Sequence, residues 1–121
     1  MDKTFNKAKG DTAEIYALTW LEGQGFSVLE INWKGNRGEI DIIAQSPSGA
    51  VHFIEVKAKS TCEFGLGREA VTPAKQRTIR RVATEYLLQE NLYNQIDISF
   101  DVIEVNGTYP DYQIEFLDGC F

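Results

Sequence analysis

Residues 38–57, GEIDIIAQSPSGAVHFIEVK, hold two runs in which apolar and charged side chains alternate, separated by a polar turn. Strand side chains point to opposite faces in turn. In residues 39–44 that rule puts Ile40, Ile42 and Ala44 on one face, with Glu39, Asp41 and Ile43 on the other. In residues 51–57 it puts Ile54 and Val56 on one face, with Phe53, Glu55 and Lys57 on the other. Ser46-Pro47-Ser48-Gly49 reads as a turn, so the runs are expected to pair as an antiparallel hairpin. One face of the hairpin would pack, while the other gathers Asp41, Glu55 and Lys57. Charges on interior strands are costly unless a partner or a metal compensates them. Chemistry is therefore expected on that face.

Helical spacing frames the hairpin on both sides. Residues 10–23 read as a helix with Asp11 as N-cap and Glu14 three residues later. Ala17, Leu18 and Leu21 form its inward stripe, flanked by Ala13 and Trp20. Glu14 shares that face, and is either a capping carboxylate or one aimed at the charged strands. Gly23 and Gly25 end the helix, a strand follows over 26–33, and Lys34-Gly35-Asn36-Arg37-Gly38 turns into the hairpin. A long connection over 58–71 carries Phe64, Gly65, Gly67 and Arg68, and is either a functional loop or a tolerated surface one. Thr72 and Pro73 read as N-cap and first position of a second helix reaching residue 90, with Ile79, Val82, Ala83, Tyr86 and Leu87 as its core stripe. Lys75 precedes Ile79 by one turn and so points inward. A lysine there opposes the helix dipole, which is easier to justify if an anion sits nearby. Arg77, Arg80 and Arg81 lie on other faces, with Arg77 and Arg81 read as a solvated basic surface.

Residues 98–105 read as a strand, Asn106-Gly107 as a turn, and 112–117 as a weaker final strand, with Asp97 and Asp101 taken as strand-flanking acids. Residues 51–57, the second helix and 98–105 form a crossover unit, expected to be parallel. The expected fold is α/β, a mixed central sheet of about five strands flanked by helices. It occupies a single domain over 1–121, with 1–9 a flexible lead.

Composition narrows the function classes. A chain of 121 residues with 43% hydrophobic and 25% charged content suits one globular domain. Cys62 and Cys120 are too few for a disulfide framework, and His52 is the lone histidine, so no Cys/His zinc cluster is expected. No apolar run approaches the roughly 20 residues of a membrane span, and MDKTFNKAKGD lacks the apolar core of a signal peptide. A cytoplasmic protein with no membrane partner is expected. The net charge of −6 argues against a nucleic-acid partner, but its distribution softens this. Residues 57–81 hold seven basic and two acidic side chains, leaving the remainder at −11. Such a local basic stripe can meet phosphates, with strong salt dependence.

Two carboxylates and a lysine on adjacent strands suit metal-assisted phosphodiester cleavage. Asp41 and Glu55 would hold Mg2+ or Mn2+, with the main-chain carbonyl of Val56 and the carboxylate of Glu14 as further ligands. Lys57 would orient or deprotonate the attacking water and offset charge on the phosphate. Lys75, Gln76 and the helix N-terminus would position the backbone phosphate, with Arg68 and Arg80 as further nucleic-acid contacts. Spacing alone also accommodates a plain surface ion pair of Lys57 with Glu55 or Asp41.

GDTAEIYALTWLEGQGF, GEIDIIA, HFIEVK, AVTPAKQRTI and SFDVIEV follow one another over residues 10–105. This series resembles the YraN-like family of predicted endonucleases, within the restriction-endonuclease-like superfamily and similar to archaeal Holliday junction resolvases. The resemblance implies a restriction-endonuclease-like core, metal and catalytic roles for Asp41, Glu55 and Lys57, and a first-helix glutamate at Glu14. It also implies a phosphate-proximal role for Lys75 and Gln76. Glu39 belongs to the GEID motif and either faces the metal or braces the strand. Ser99 stands where the family more often has arginine. The implied activity is a metal-dependent endonuclease on DNA, branched or junction DNA included, with a homodimer as the assembly that would place two sites on opposing strands. The alternative is a non-catalytic nucleic-acid- or protein-binding module on a nuclease-like fold.

Overall fold

In the computed structural model, residues 12–59, 71–107 and 110–121 are described. Helix α1 (Thr12–Gly23) leads into β1 (Ser27–Lys34), β2 (Glu39–Gln45) and β3 (Val51–Lys59). Helix α2 (Pro73–Gln89), β4 (Ile98–Asn106) and β5 (Gln113–Leu117) follow. The strands lie in chain order, β1-β2-β3-β4-β5, with β3 and β4 parallel and every other pair antiparallel. This is the expected α/β architecture, a mixed five-stranded sheet flanked by helices. The expected cap at Asp11, the lead over 1–9, and Phe64, Gly65, Gly67 and Arg68 lie outside the described residues.

The helices cover opposite faces of the sheet. Ala17, Leu18 and Leu21 of α1 pack on Ile42, Ala44, Ile54, Ile103 and Val105. Ile79, Val82, Ala83, Tyr86 and Leu87 of α2 pack on Ile43, Phe53, Phe100 and Val102. Burying each of these larger side chains contributes about 1.5–3 kcal/mol. The face that bears Asp41 and Glu55 is thus packed under α2 over its first half, where Ile43 and Phe53 lie.

Ile40 departs from the alternation. It packs on the α2 side with Trp33, whereas Ile42 and its partner Ile31 pack on the α1 side. The cause lies in β1, whose register shifts between Val28 and Glu30 and whose Asn32 has φ 50°. A left-handed residue within a strand pair adds local twist, so the residues on either side of Asn32 serve different faces.

The β1–β2 turn is pressed against α2, which sets where β2 enters the sheet. The Asn36 N–H donates to both Glu85 oxygens, at 2.9 and 3.2 Å. A Cβ on Gly38 would lie 2.7 Å from Cγ2 of Thr78, whose hydroxyl is tied to the Ala74 carbonyl at 3.2 Å. Thr78 cannot swing aside without losing that bond. Gly38→Ala is expected to cost about 1–3 kcal/mol, read as a lower urea midpoint with unchanged slope.

Helix α2 begins as its sequence indicates. Thr72 is the N-cap with φ −64° and ψ 158°, and its hydroxyl accepts from the Lys75 N–H at 3.1 Å. That cap aims the first turn, with Lys75, at the sheet. No helix of the described residues is long and apolar enough to cross a membrane.

Candidate functional site

The β2–β3 ladder runs from Gln45–Val51 to Ile42–Ile54 and stops. Beyond it a side chain takes the place of the ladder, as the Val56 N–H donates to Asp41 Oδ2 at 2.9 Å. The next charge, Glu55, is 3% exposed and lies on the α2 face beyond Phe53. Lys75 reaches it from the first turn of α2, with Nζ 3.5 Å from Oε2. Glu55 Oε1 is buried and has no hydrogen-bond partner among the described residues.

Electrostatics separate this arrangement from an ordinary ion pair. Burial pushes the Glu55 carboxyl up to about 7, and the Asp41 charge pushes the same way, while Lys75 and Lys57 pull it down. Asp41 is raised as well, by burial first, with the Val56 N–H, Lys75 and Lys57 opposing and Glu39 adding to the rise. The lysines do not offset the cost of placing two carboxylates together in the interior. Lys75 is 47% exposed at its side chain, so much of its field is spent in water.

Other residues singled out in the sequence are distributed as follows. Lys57 continues the Phe53–Glu55 face and acts on both carboxylates. Glu39 is exposed at the start of β2 and acts on Asp41 through its charge. Val56 turns its side chain to the α1-side core. Gln76 commits one amide hydrogen to the Val71 carbonyl at 2.9 Å, which braces the helix start. Arg80 stacks on Phe100, with its guanidinium carbon 4.5 Å from the ring centre. That places it at the level of Phe53, not of Glu55. Glu14 is 3% exposed, on the buried side of α1, and so comes from the opposite face. Among the described residues, Glu14, Asp41 and Glu55 do not form a group of ligand atoms within 4.8 Å of one another.

One group of that kind is formed elsewhere, by residues that pattern reading missed. His52, Asp101 and Asp118 place three ligand atoms within 4.8 Å and could hold a metal ion. Asp101 is not a strand-flanking acid, as expected, but a fully buried residue inside β4. His52 Nδ1 lies 2.6 Å from Asp101 Oδ2, and Ser99 and the Gly119 N–H donate to Oδ1 at 2.5 and 2.8 Å. Burial raises the Asp101 carboxyl, opposed by these three contacts. Asp118 is the exposed member, with Oδ1 3.7 Å from His52 Nδ1 and 3.2 Å from the Ser99 hydroxyl. The group's trace in the sequence is a single polar residue inside each of two apolar runs, VHFI and FDVI.

Two further buried polar residues follow on β4. Glu104 is fully buried and Asn106 is 1% exposed. Neither Oδ1 nor Nδ2 of Asn106 has a hydrogen-bond partner among the described residues. Asn106→Leu is expected to leave stability unchanged or raise it by about 1–2 kcal/mol, because a desolvated orphan amide is removed. Urea unfolding measures it, and a loss of similar size would show the amide to be satisfied.

Fold and geometry together define an α/β domain with a buried Glu55, a half-buried Asp41 and two lysines where the β2–β3 ladder ends. The chain belongs to the uncharacterised protein family UPF0102, whose model matches residues 13–105. That match bears out the resemblance read from the GEIDIIA and HFIEVK strands. A UPF0102 protein of Clostridium perfringens (strain 13 / Type A) is 41% identical, over 98% of both chains. Relatives from Alkaliphilus oremlandii and Geotalea daltonii are 38% and 40% identical, over 96% and 98% of this chain and 99% and 93% of their own. Among solved structures, that of Pyrococcus furiosus SfsA in complex with Ca2+ aligns with a TM-score of 0.33 at 14% identity. The alignment covers 92% of this chain and 60% of that one, and a similarity of this size says nothing about chemistry.

Proposed function

We propose that this chain is a Mg2+- or Mn2+-dependent endonuclease that hydrolyses phosphodiester bonds in DNA, with branched and junction DNA the first substrates to test. The observation that carries this reading is Glu55, a buried carboxylate next to a second one, with one oxygen lacking a hydrogen-bond partner among the described residues. Buried polar atoms are normally hydrogen-bonded, so such an oxygen calls for a ligand. The site's oxygen donors suit a hard divalent cation, which would be held by Asp41 and Glu55 with the Val56 carbonyl as a further donor. When bound, such a cation supplies Lewis acidity towards phosphoryl oxygen and neutralises developing charge.

The chain's own residues do the rest. The Val56 N–H fixes the Asp41 carboxylate. Lys75, at the N-terminal turn of α2, meets a backbone phosphate together with the helix dipole. Lys57 orients the attacking water and offsets charge on the phosphate in the transition state. Glu39 braces the entry of β2, and a second copy of the chain would supply the site for the opposing strand.

Purified protein incubated with supercoiled, single-stranded and four-way-junction DNA tests the proposal. Cleavage is expected only with Mg2+ or Mn2+, and to vanish in Glu55→Ala. Cleavage that survives this change removes Glu55 from the chemistry. DNA binding that ignores EDTA, without any cleavage, would favour the binding-module alternative.

A further inference from the structure

The turn between β1 and β2 carries Arg37 and follows Lys34, both of them exposed. Its backbone is pressed against one side of α2. A Cβ on Gly35 would lie 2.8 Å from Glu85 Oε2 and 3.1 Å from Val82 Cγ1, and Gly38 sits as close to Thr78. Helical spacing sets Arg81 on that side, three residues after Thr78 and four before Glu85, with Arg77 one turn nearer the helix start. Both arginines are exposed. The Glu85 carboxylate is turned to the Asn36 N–H. Among the described residues, no ion pair engages Arg37, Arg77 or Arg81. The surface is concave beside the turn, where Lys34, Gly35, Gly38 and Glu39 line an open cavity.

Four cations thus stand against two acids, Glu39 and Glu85, on a chain whose net charge is −6. Grouped cations repel one another, and a polyanion laid across them relieves that repulsion and releases its own counterions. The row starts at the proposed site. Lys75, with Nζ 3.5 Å from Glu55, precedes Arg81 by six residues, roughly 9 Å along the helix axis. At about 3.4 Å per base pair, that length spans about two to three nucleotides of one strand. None of the strip's residues is aromatic, whereas single-strand binders rely on stacking platforms. Guanidinium groups alone suit the backbone of a duplex.

We propose that Arg37, Arg77 and Arg81 grip the phosphate backbone of duplex DNA, about two to three nucleotides from the phosphate at Lys75. The choice of DNA and the place of the cut rest on the nuclease reading, whereas the grip is read by binding alone. Fluorescence anisotropy with a labelled DNA duplex in EDTA, over a series of salt concentrations, tests it without any cleavage. Arg37→Gln/Arg77→Gln/Arg81→Gln is expected to weaken binding at least about tenfold and to lower the slope of log K against log salt by about 2–3. Each single change should lower it by about one, and the loss should be the same for unrelated sequences. The corresponding triple change to Lys should keep the parental slope, because the charge stays. Urea midpoints should match throughout, since all three side chains are exposed. Losses of this kind in a protein that never cuts DNA would support the grip and count against the nuclease. Parental affinity and slope in the triple Gln variant overturn the proposal. So does a parent that binds no duplex at low salt, or one that holds the single strand as tightly.

Discussion

Asp41→Asn should lose Mn2+-dependent DNA cleavage by about a thousandfold or more while the protein stays folded. The estimate follows from several kcal/mol of charge stabilisation at about 1.4 kcal/mol per decade. The choice of asparagine matters. Asp41 Oδ2 accepts the Val56 N–H at the point where the β2–β3 ladder ends. Alanine would leave that N–H without its acceptor, at a cost of about 1–3 kcal/mol if it stays buried. Asparagine keeps an acceptor oxygen and removes the charge. Asp41→Asn should therefore be at least as stable as the parent in urea unfolding at neutral pH, since it also removes a charge that burial disfavours, and differ from it in the cleavage assay. Asp41→Ala should differ in both. If Asp41→Asn cleaves at the parental rate, Asp41 is a structural bracket and no more.

The second large effect runs the other way, towards stability. Glu55 has its folded carboxyl pushed up to about 7, from an ordinary value of 4.5. The folded chain therefore holds this proton more tightly than the unfolded chain. Stability from this group is full below the unfolded value, falls as pH rises from 4.5 towards 7, and stays low above that. At about 1.4 kcal/mol per pH unit the loss is on the order of 3 kcal/mol at most. Glu55→Gln removes that ionisation, and the value of about 7 already includes the opposing pull of Lys75. At pH 8 without metal the variant should be about 2 kcal/mol more stable than the parent, roughly 5–10 °C in Tm. Near pH 4 the two should coincide. Thermal melts of both proteins across this range give the difference directly, cancelling every group they share. A variant less stable at pH 8 would mean that Lys75 already compensates Glu55, as in an ordinary ion pair.

Much of this organisation is legible in the chain because it is local. The α2 stripe of Ile79, Val82, Ala83, Tyr86 and Leu87 is the one that helical spacing gives, and all five are buried. Alternation places Glu55 and Lys57 with Phe53, and Lys75 turns inward to Glu55 as its position one turn before Ile79 requires. What could not be read depends on how distant segments meet. Ile40 changes faces because of a left-handed residue on the neighbouring strand. The His52–Asp101 contact joins residues 49 apart through the parallel β3–β4 register, and Asp118 is brought in by the chain beyond β5. The burial of Glu104 likewise comes from strands paired on both sides of β4. Each miss is a tertiary effect overriding a local pattern.

Among the described residues, the His52–Asp101–Asp118 group is a second candidate for a cation beside the proposed Asp41–Glu55 site. The proposed site has a buried oxygen with no hydrogen-bond partner among the described residues, whereas both Asp101 oxygens of the other group already accept hydrogen bonds. Anomalous diffraction from crystals soaked in Mn2+ at pH 8 distinguishes them in one measurement. A manganese peak bridging Asp41 and Glu55 is the predicted result. A peak only at His52, Asp101 and Asp118, or none with Lys75 still paired to Glu55, would contradict the proposed nuclease site.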